Sequence, residues 1–393
     1  MVRVSAYPHR VADTVAWEKK EIERAGCQYH ILAGWDDPGG EKVLRDADAI
    51  LCTFERIDEE RLNKLGRCRL IVMGSIGLDG VDIEGARARG ITICNMPDIC
   101  VDEVAEHTMA LLLGSVRKLP LLDREVKSGL WTRESLEPMT RVRGSQLGLI
   151  GVGRIGQAVA ERSSAFGLGV IAFDPFVDQS RLDGPIELVT LEEVCARSDF
   201  ISLHAPLTAA TKHLISEREL RAMKPSAILV NTSRGGLIDE EALVRALRGG
   251  WIRAAALDVY ETEPPLQAHP LFEMDNVLLT PHSAGFSDEV VDTIPRLAVE
   301  VVMKLLHGEE LPTQALVRTD QSSPGYSANS SVSARSEREW LEAATGGTLN
   351  GGRLLKYADA HLYIADRLMR LWDVPIERIG PTDIFSAEWA DEE

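Results

Sequence analysis

The chain has 393 residues, of which 45% are hydrophobic and 26% charged, and a formal net charge of −18. That length calls for two or three domains with separate cores, and the composition is ordinary for a water-facing globular protein. The acidic surplus repels phosphate backbones and anionic bilayers, so no nucleic-acid or membrane partner is expected.

The six cysteines form no CxxC pair and have no histidine at zinc-ligand spacing, so neither a metal nor a disulfide is expected. The N-terminus has no leader-like apolar core and no apolar run is long enough to cross a bilayer, which leads to the expectation of a cytoplasmic protein. In chain order, "VRVSAY", "AILCTF", "LIVMGSI" and "ITICNM" read as buried strands. Between them "VADTVAWEKKEIERAG" and "DIEGARARG" have helical periodicity and end at glycine. This alternation predicts an open parallel α/β sheet over the first hundred or so residues. Residues 101–119, "VDEVAEHTMALLLGSVRKL", read as one long apolar helix without a wide polar face, hence as a helix buried between two bodies.

The alternation resumes at residue 146. "LGLIGV", "GVIAFD", "DFISLHA", "AILVNTS", "AAALDVY" and "NVLLTP" predict six parallel strands, with "IGQAVAERSSAFG", "LEEVCARS", "SERELRAMK" and "DEEALVRALRGG" as intervening helices. A further helix over 287–308 lies beyond the last strand, placed to return to the first domain. The serine-rich segment 318–336 predicts a flexible linker. Beyond it, Leu355, Ala358, Leu362, Ala365, Met369 and Trp372 form an apolar helical stripe that must pack on something, its own subunit or a second one.

Gly151, Gly153 and Gly156 make G-x-G-x-x-G between a predicted strand and a predicted helix. Such a turn brings backbone amides to a pyrophosphate at a helix N-terminus, although many glycine turns bind nothing. Asp174 closes the following strand, where a carboxylate accepts hydrogen bonds from the adenosine ribose and repels a 2′-phosphate, so NAD is favoured over NADP. Arg154 would contact the pyrophosphate. "SLHAPLTAAT" and "VNTSRGGLID" fall at further strand ends, the edge where such sheets bind ligands. Arg234 stands in the second of these stretches, and Glu263 and His282 stand at two more strand ends. Each alone has an ordinary reading as an exposed arginine, a loop glutamate or a turn histidine; together they form a set that can bind an acid and move a proton.

"GVGRIGQAVA", "MKPSAILVNTSRGGLIDEEAL", "AALDVYETEP" and "NVLLTPHSAG", in this order, resemble the D-isomer-specific 2-hydroxyacid dehydrogenases over roughly residues 45–315. "PHSAGFSDE" and "CNMPDICVDEVAEHTMALLL" look most like the branch containing the C-terminal-binding-protein corepressors and their bacterial relatives. The resemblance implies a Rossmann-type doubly wound domain (102–284) that binds NAD and is inserted into a flavodoxin-like α/β substrate domain (1–101 and 285–317), with a helical C-terminal extension (337–393) outside the family pattern.

It also implies roles. Arg234 would grip a 2-ketoacid's carboxylate and polarise its keto oxygen, His282 would act as acid and base, and Glu263 would orient His282. The loop Ser75, Ile76 and Gly77 would offer amides to the same carboxylate. Ile155, Pro175, His204, Ala205, Pro206, Thr211, Thr232, Ser233, Ala284 and Gly285 would line the cofactor. Asp258 would meet the nicotinamide carboxamide, and Thr108 would face the cofactor from the long apolar helix. The family implies a homodimer. Two functions follow from one fold: an NAD-dependent dehydrogenase of small 2-hydroxy acids, or an NAD(H)-sensing corepressor-like regulatory or scaffold protein.

Overall fold

The computed structural model describes residues 1–4, 11–53, 55–182 and 184–311, and within them the strands form two all-parallel sheets. The first contains β1 (Val2–Val4), β2 (His30–Leu32), β3 (Ala49–Cys52), β4 (Leu70–Met73) and β5 (Thr92–Cys94), ordered β2-β1-β3-β4-β5. This 2-1-3-4-5 order is the flavodoxin-like arrangement. Parallel strands covered on both faces need apolar residues at successive positions, and β3 and β4 are buried at every residue. Ile50 and Cys52 face helices α2 (Gly40–Arg45), α3 (Glu59–Asn63) and α4 (Ile83–Ala88) through Leu44, Leu62 and Ala86. Ala49 and Leu51 face the other way, toward Val15 and Ile22 of α1 (Val11–Arg24).

The second sheet contains β6 (Gln146–Ile150), β7 (Gly169–Phe173), β8 (Ile186–Leu188), β9 (Phe200–Leu203), β10 (Ile228–Asn231), β11 (Ala254–Leu257) and β12 (Val277–Leu279). Its order, β8-β7-β6-β9-β10-β11-β12, is the Rossmann 3-2-1-4-5-6 with one more strand. Helices α5 (Val101–Val116) and α7 (Arg154–Ser164) cover one face, where Met109, Leu112 and Val159 pack on Leu147, Leu149 and Val230. Helices α8 (Leu191–Arg197), α9 (Glu217–Ala222) and α10 (Glu240–Arg248) cover the other, where Val194, Leu220 and Leu243 pack on Ile150, Ile201 and Leu229. Helix α6 (Leu119–Lys127) follows α5. Helix α11 (Asp288–His307) returns to the first sheet, packing Ala298, Val299 and Val302 against Leu70 and Val72.

The sequence reading is corrected at several points. The first sheet has five strands instead of four, and the second seven instead of six; the additions are β2 and β8. Both are three-residue edge strands with polar content, too short to show a period. The stretch 101–119 is not one helix: Lys118 adopts φ 52, a left-handed conformation that ends α5 before α6 begins. Helix α5 also packs into the core of the second sheet, where the sequence suggested a helix buried between two bodies. The expected linker 318–336 and the apolar stripe from Leu355 lie outside the described residues. Burial pushes the Cys94 and Cys195 thiols up to about 12, so they pack as small protonated hydrophobes. Among the described residues no helix is long and apolar enough to cross a membrane, and no His, Cys, Asp and Glu group is arranged to hold a metal.

Candidate active site

The glycine turn leaves β6 at the point where the strand order reverses, between β6 and β9. Gly151 takes φ +94, and a Cβ there would lie 2.7 Å from the His204 carbonyl carbon and 2.8 Å from the Ala205 nitrogen. A Cβ on Gly156 would lie 2.4 Å from the Gly151 oxygen. Only glycine fits either place. Gly153 is the N-cap of α7 and has no side chain to cap this 11-residue helix. Together these features form a cradle matched to a dinucleotide pyrophosphate. Arg154 starts the helix beside it, with Nε 2.7 Å from Asp98 Oδ1, and Ile155 is half-buried on the core of that sheet.

Asp174 ends β7 next to the turn. Its Oδ2 accepts the Val152 N–H at 3.0 Å and its Oδ1 the Phe176 N–H at 3.0 Å. Burial raises its pKa above the usual carboxylate value, and those two hydrogen bonds oppose the rise. The carboxylate therefore stiffens the turn, and Pro175 follows it. Across the switch point, His204 pairs its Nε2 with Ser202 Oγ at 2.9 Å, and burial lowers its pKa to about 4, so the ring is neutral at pH 7. Thr211 Oγ1 donates to the Pro206 carbonyl at 2.6 Å and accepts the Thr208 N–H at 2.8 Å; Ser233 Oγ donates to the Ala205 carbonyl at 2.7 Å. These hydroxyls hold the cofactor-side loops from within.

Two of the three strand-end residues meet directly. His282 Nδ1 lies 2.6 Å from Glu263 Oε2, and the other Glu263 oxygen accepts the Tyr260 N–H at 2.9 Å. Both side chains are more than a third exposed, open to an incoming molecule. His282 has φ 52, a conformation that costs a non-glycine residue about 1 kcal/mol and persists only where surroundings impose it. Asp258 imposes it. Its carbonyl accepts the His282 N–H at 2.7 Å, Oδ1 accepts the Ser283 N–H at 2.9 Å, and Oδ2 accepts the Ala284 N–H at 2.8 Å.

The Asp258 side chain is fully buried, and Thr280 Oγ1 donates to Oδ1 at 2.5 Å. Because that proton is spent on Asp258, His107 Nε2, 3.1 Å from Thr280 Oγ1, must be the donor in their contact. Beside it on α5, Thr108 Oγ1 donates to the Val104 carbonyl and lies 2.7 Å from Thr232 Oγ1 at the end of β10. Helix α5 thus braces the ends of β10 and β12. Gly285 lies against the start of the same helix, where a Cβ would be 3.0 Å from Cys100 Sγ.

Facing this edge is the loop after β4. Ser75 Oγ donates to the Gly77 carbonyl at 3.1 Å, and Asn95 Nδ2 donates to the Ile76 carbonyl at 2.8 Å. The Ile76 and Gly77 N–H groups make no hydrogen bond to the described residues. Arg234 reaches this loop, with Nε 2.8 Å from Asp79 Oδ1 and its NH1 group 2.7 Å from the Ser233 carbonyl. Sequence reasoning missed Asp79, Asp98, His107 and Thr280. The one available signal was a histidine and threonine pair leading into the apolar run "MALLLG" of α5; the other partners lie too far along the chain to be paired by spacing.

Comparisons with known proteins bear on the family of the chain. Residues 109–284 match the model of the D-isomer specific 2-hydroxyacid dehydrogenase NAD-binding domain. A D-3-phosphoglycerate dehydrogenase of Methanocaldococcus jannaschii is 40% identical over 269 residues, 68% of this chain and 51% of that protein. The chain thus spans about half the length of the phosphoglycerate dehydrogenases it matches. A glyoxylate reductase of Korarchaeum cryptofilum is 37% identical over 71% of this chain and 87% of its own length. Among solved structures, a D-lactate dehydrogenase of Aquifex aeolicus complexed with NAD and lactic acid superposes with a TM-score of 0.73 at 29% identity, covering 81% of this chain and 99% of that one. By its sheet orders, its glycine turn and these relatives, the chain belongs to the NAD-binding D-isomer specific 2-hydroxyacid dehydrogenase family.

Proposed function

We propose that the protein is an NAD-dependent D-2-hydroxyacid dehydrogenase that interconverts a small 2-hydroxy acid and its 2-keto acid. The observation that carries this reading is the 2.6 Å Glu263–His282 pair, on the same sheet edge as Arg234 and above the glycine turn. The named relatives act on phosphoglycerate, glyoxylate or lactate, all 2-hydroxy or 2-keto acids or close derivatives, which supports the substrate class. Gly151, Gly153, Arg154, Ile155 and Gly156 would hold the pyrophosphate, and Asp174 and Pro175 the adenosine ribose. The nicotinamide, when bound, supplies or takes up the hydride at C2.

The chain's own residues do the rest. Arg234, with the Ile76 and Gly77 amides, binds the carboxylate and draws electron density toward the keto oxygen. With Nδ1 held by Glu263, the imidazole delivers its Nε2 proton to that oxygen as the C–H bond forms, giving the hydroxyl. In the other direction the same nitrogen removes the hydroxyl proton. Asp258, by pinning residues 282–284, holds the ring where this transfer takes place.

We also place a second copy of the chain on α6. Leu119, Val126, Leu130 and Trp131 are all more than half exposed, an apolar face that a homodimer would cover. Burial of most thiols in reduced form suits a cytoplasmic setting.

The test is a purified sample with NADH and glyoxylate, pyruvate, hydroxypyruvate and 3-phosphohydroxypyruvate, followed at the NADH absorbance. Consumption of NADH with any of them supports the dehydrogenase. Tight NADH binding with none turned over would defeat it and favour the corepressor-like scaffold.

A further inference from the structure

We infer that Asp79 is a positioning residue for substrate binding, acting through Arg234, and that it makes the anion site a joint product of the two sheets. The inference rests on the reading of Arg234 as the carboxylate ligand and adds a residue that reading does not use. Arg234 extends from the end of β10 and Asp79 from the loop after β4, so their 2.8 Å contact joins sheets whose partners lie 155 residues apart in sequence. The guanidinium points its NH2 end at Gly77: a Cβ there would lie 1.5 Å from the NH2 nitrogen, 2.8 Å from Cζ and 3.0 Å from Asp79 Oδ1. A side chain at residue 77 would therefore displace the arginine.

The donor count follows. Nε is spent on Asp79, and one NH1 hydrogen on the Ser233 carbonyl. The terminal NH1–NH2 edge is what remains for a carboxylate, beside the loop amides of Ile76 and Gly77. An untethered arginine has several rotamers and loses entropy when a substrate fixes it; one held at Nε and NH1 has already met that cost. The tether also joins the two sheets, so the site is complete only when the loop after β4 and the end of β10 are together. Asp79 touches neither the carboxylate nor the reacting atoms; its effect reaches them only through the placement of the arginine.

The experiment titrates oxamate, an unreactive isostere of pyruvate, into the NADH complexes of wild type, Asp79→Ala, Asp79→Asn, Arg234→Ala and the double variant. Bound-NADH fluorescence reports binding, and glyoxylate reduction is measured on the same set. Asp79→Ala is expected to weaken oxamate about tenfold and to raise the glyoxylate KM, with the NADH Kd unchanged. Asp79→Asn, which keeps an oxygen for Nε, should recover most of the loss. Adding Asp79→Ala to Arg234→Ala should cost nothing further, because the two act as one unit. Wild-type oxamate affinity in Asp79→Ala, or a full additive loss in the double variant, overturns the inference while leaving the dehydrogenase reading intact. A wild type that binds no oxamate and reduces no keto acid defeats that reading, and this inference with it. If Asp79→Ala also loses NADH affinity, Asp79→Leu, which also lacks an acceptor for Nε but fills the space, carries the test: a tenfold oxamate loss with its NADH Kd intact supports the inference, and wild-type oxamate affinity overturns it.

Discussion

The two sheets bury charge for different ends. In the first, Arg3 of β1 and Glu18 of α1 form a two-pronged ion pair inside the core, joined by the Tyr29 hydroxyl at 2.5 Å from Glu18. Arg3 is 4% and Glu18 0% exposed, and neither stands at a strand's carboxyl end. In the second sheet the fully buried acid is Asp258, at the carboxyl end of β11, and its partners are the backbone of the loop that carries His282. One network ties a helix to a sheet; the other gives His282, the proposed proton donor, its conformation. Equal burial therefore does not mean equal role, and the address on the strand separates them.

Mutations can break that contrast. The largest effect should come from His282→Ala, which removes the proton donor: kcat is expected to fall about 10³-fold, with the NADH Kd within twofold. Parallel losses of turnover and NADH affinity would count against the assignment. Next, Arg3→Met leaves Glu18 buried without its counter-ion and should cost about 3 kcal/mol of stability, read from urea unfolding. The variant that remains folded at low temperature should keep its kcat, because the network is remote from the chemistry. A large loss of turnover per folded molecule would erase the distinction between the two networks.

Thr280→Val keeps the shape but removes the hydroxyl between His107 and Asp258. It should lower kcat about tenfold while the NADH KM stays put. The smallest effect concerns His204, which sits between these extremes. Burial lowers its folded pKa to about 4 from an unfolded value near 6.5, so the unfolded chain binds more protons between those values. Its neutral burial therefore carries no penalty above pH 6.5 and destabilises progressively as pH falls toward 4. His204→Gln should leave Tm nearly unchanged at pH 8 and lessen its fall by a few degrees at pH 5; parallel Tm–pH curves would remove His204 as the cause.

Much of this was legible in the sequence because it is written in local signals. Buried parallel strands such as "LIVM" declare themselves, the glycines of the turn sit at fixed offsets, and Arg234, Glu263 and His282 each follow a recognisable strand. The edge strands β2 and β8 were not legible, since three residues carry no period and an edge tolerates polar side chains. Nor was the support of the site. Asp258 was assigned to a carboxamide by resemblance, whereas its visible work is to clamp the loop after β12, and that depends on backbone geometry which no residue type announces. The Asp79–Arg234 and His107–Thr280 contacts join residues 155 and 173 positions apart, pairings that only the packing of the sheets creates.

The return of α11 to the first sheet has a consequence for how the chain is made. Leu51, Leu70, Val72 and Cys94 need Ala298, Val299, Val301 and Val302 to close their face, and the whole second sheet is synthesised in between. At ribosomal rates of roughly 5–20 residues per second, an apolar surface waits about 10–40 seconds for its cover. The nucleotide-binding domain, contiguous in sequence, can mature at once. The first sheet is thus the part exposed to aggregation and to chaperones during synthesis, and its closure is timed by the emergence of α11.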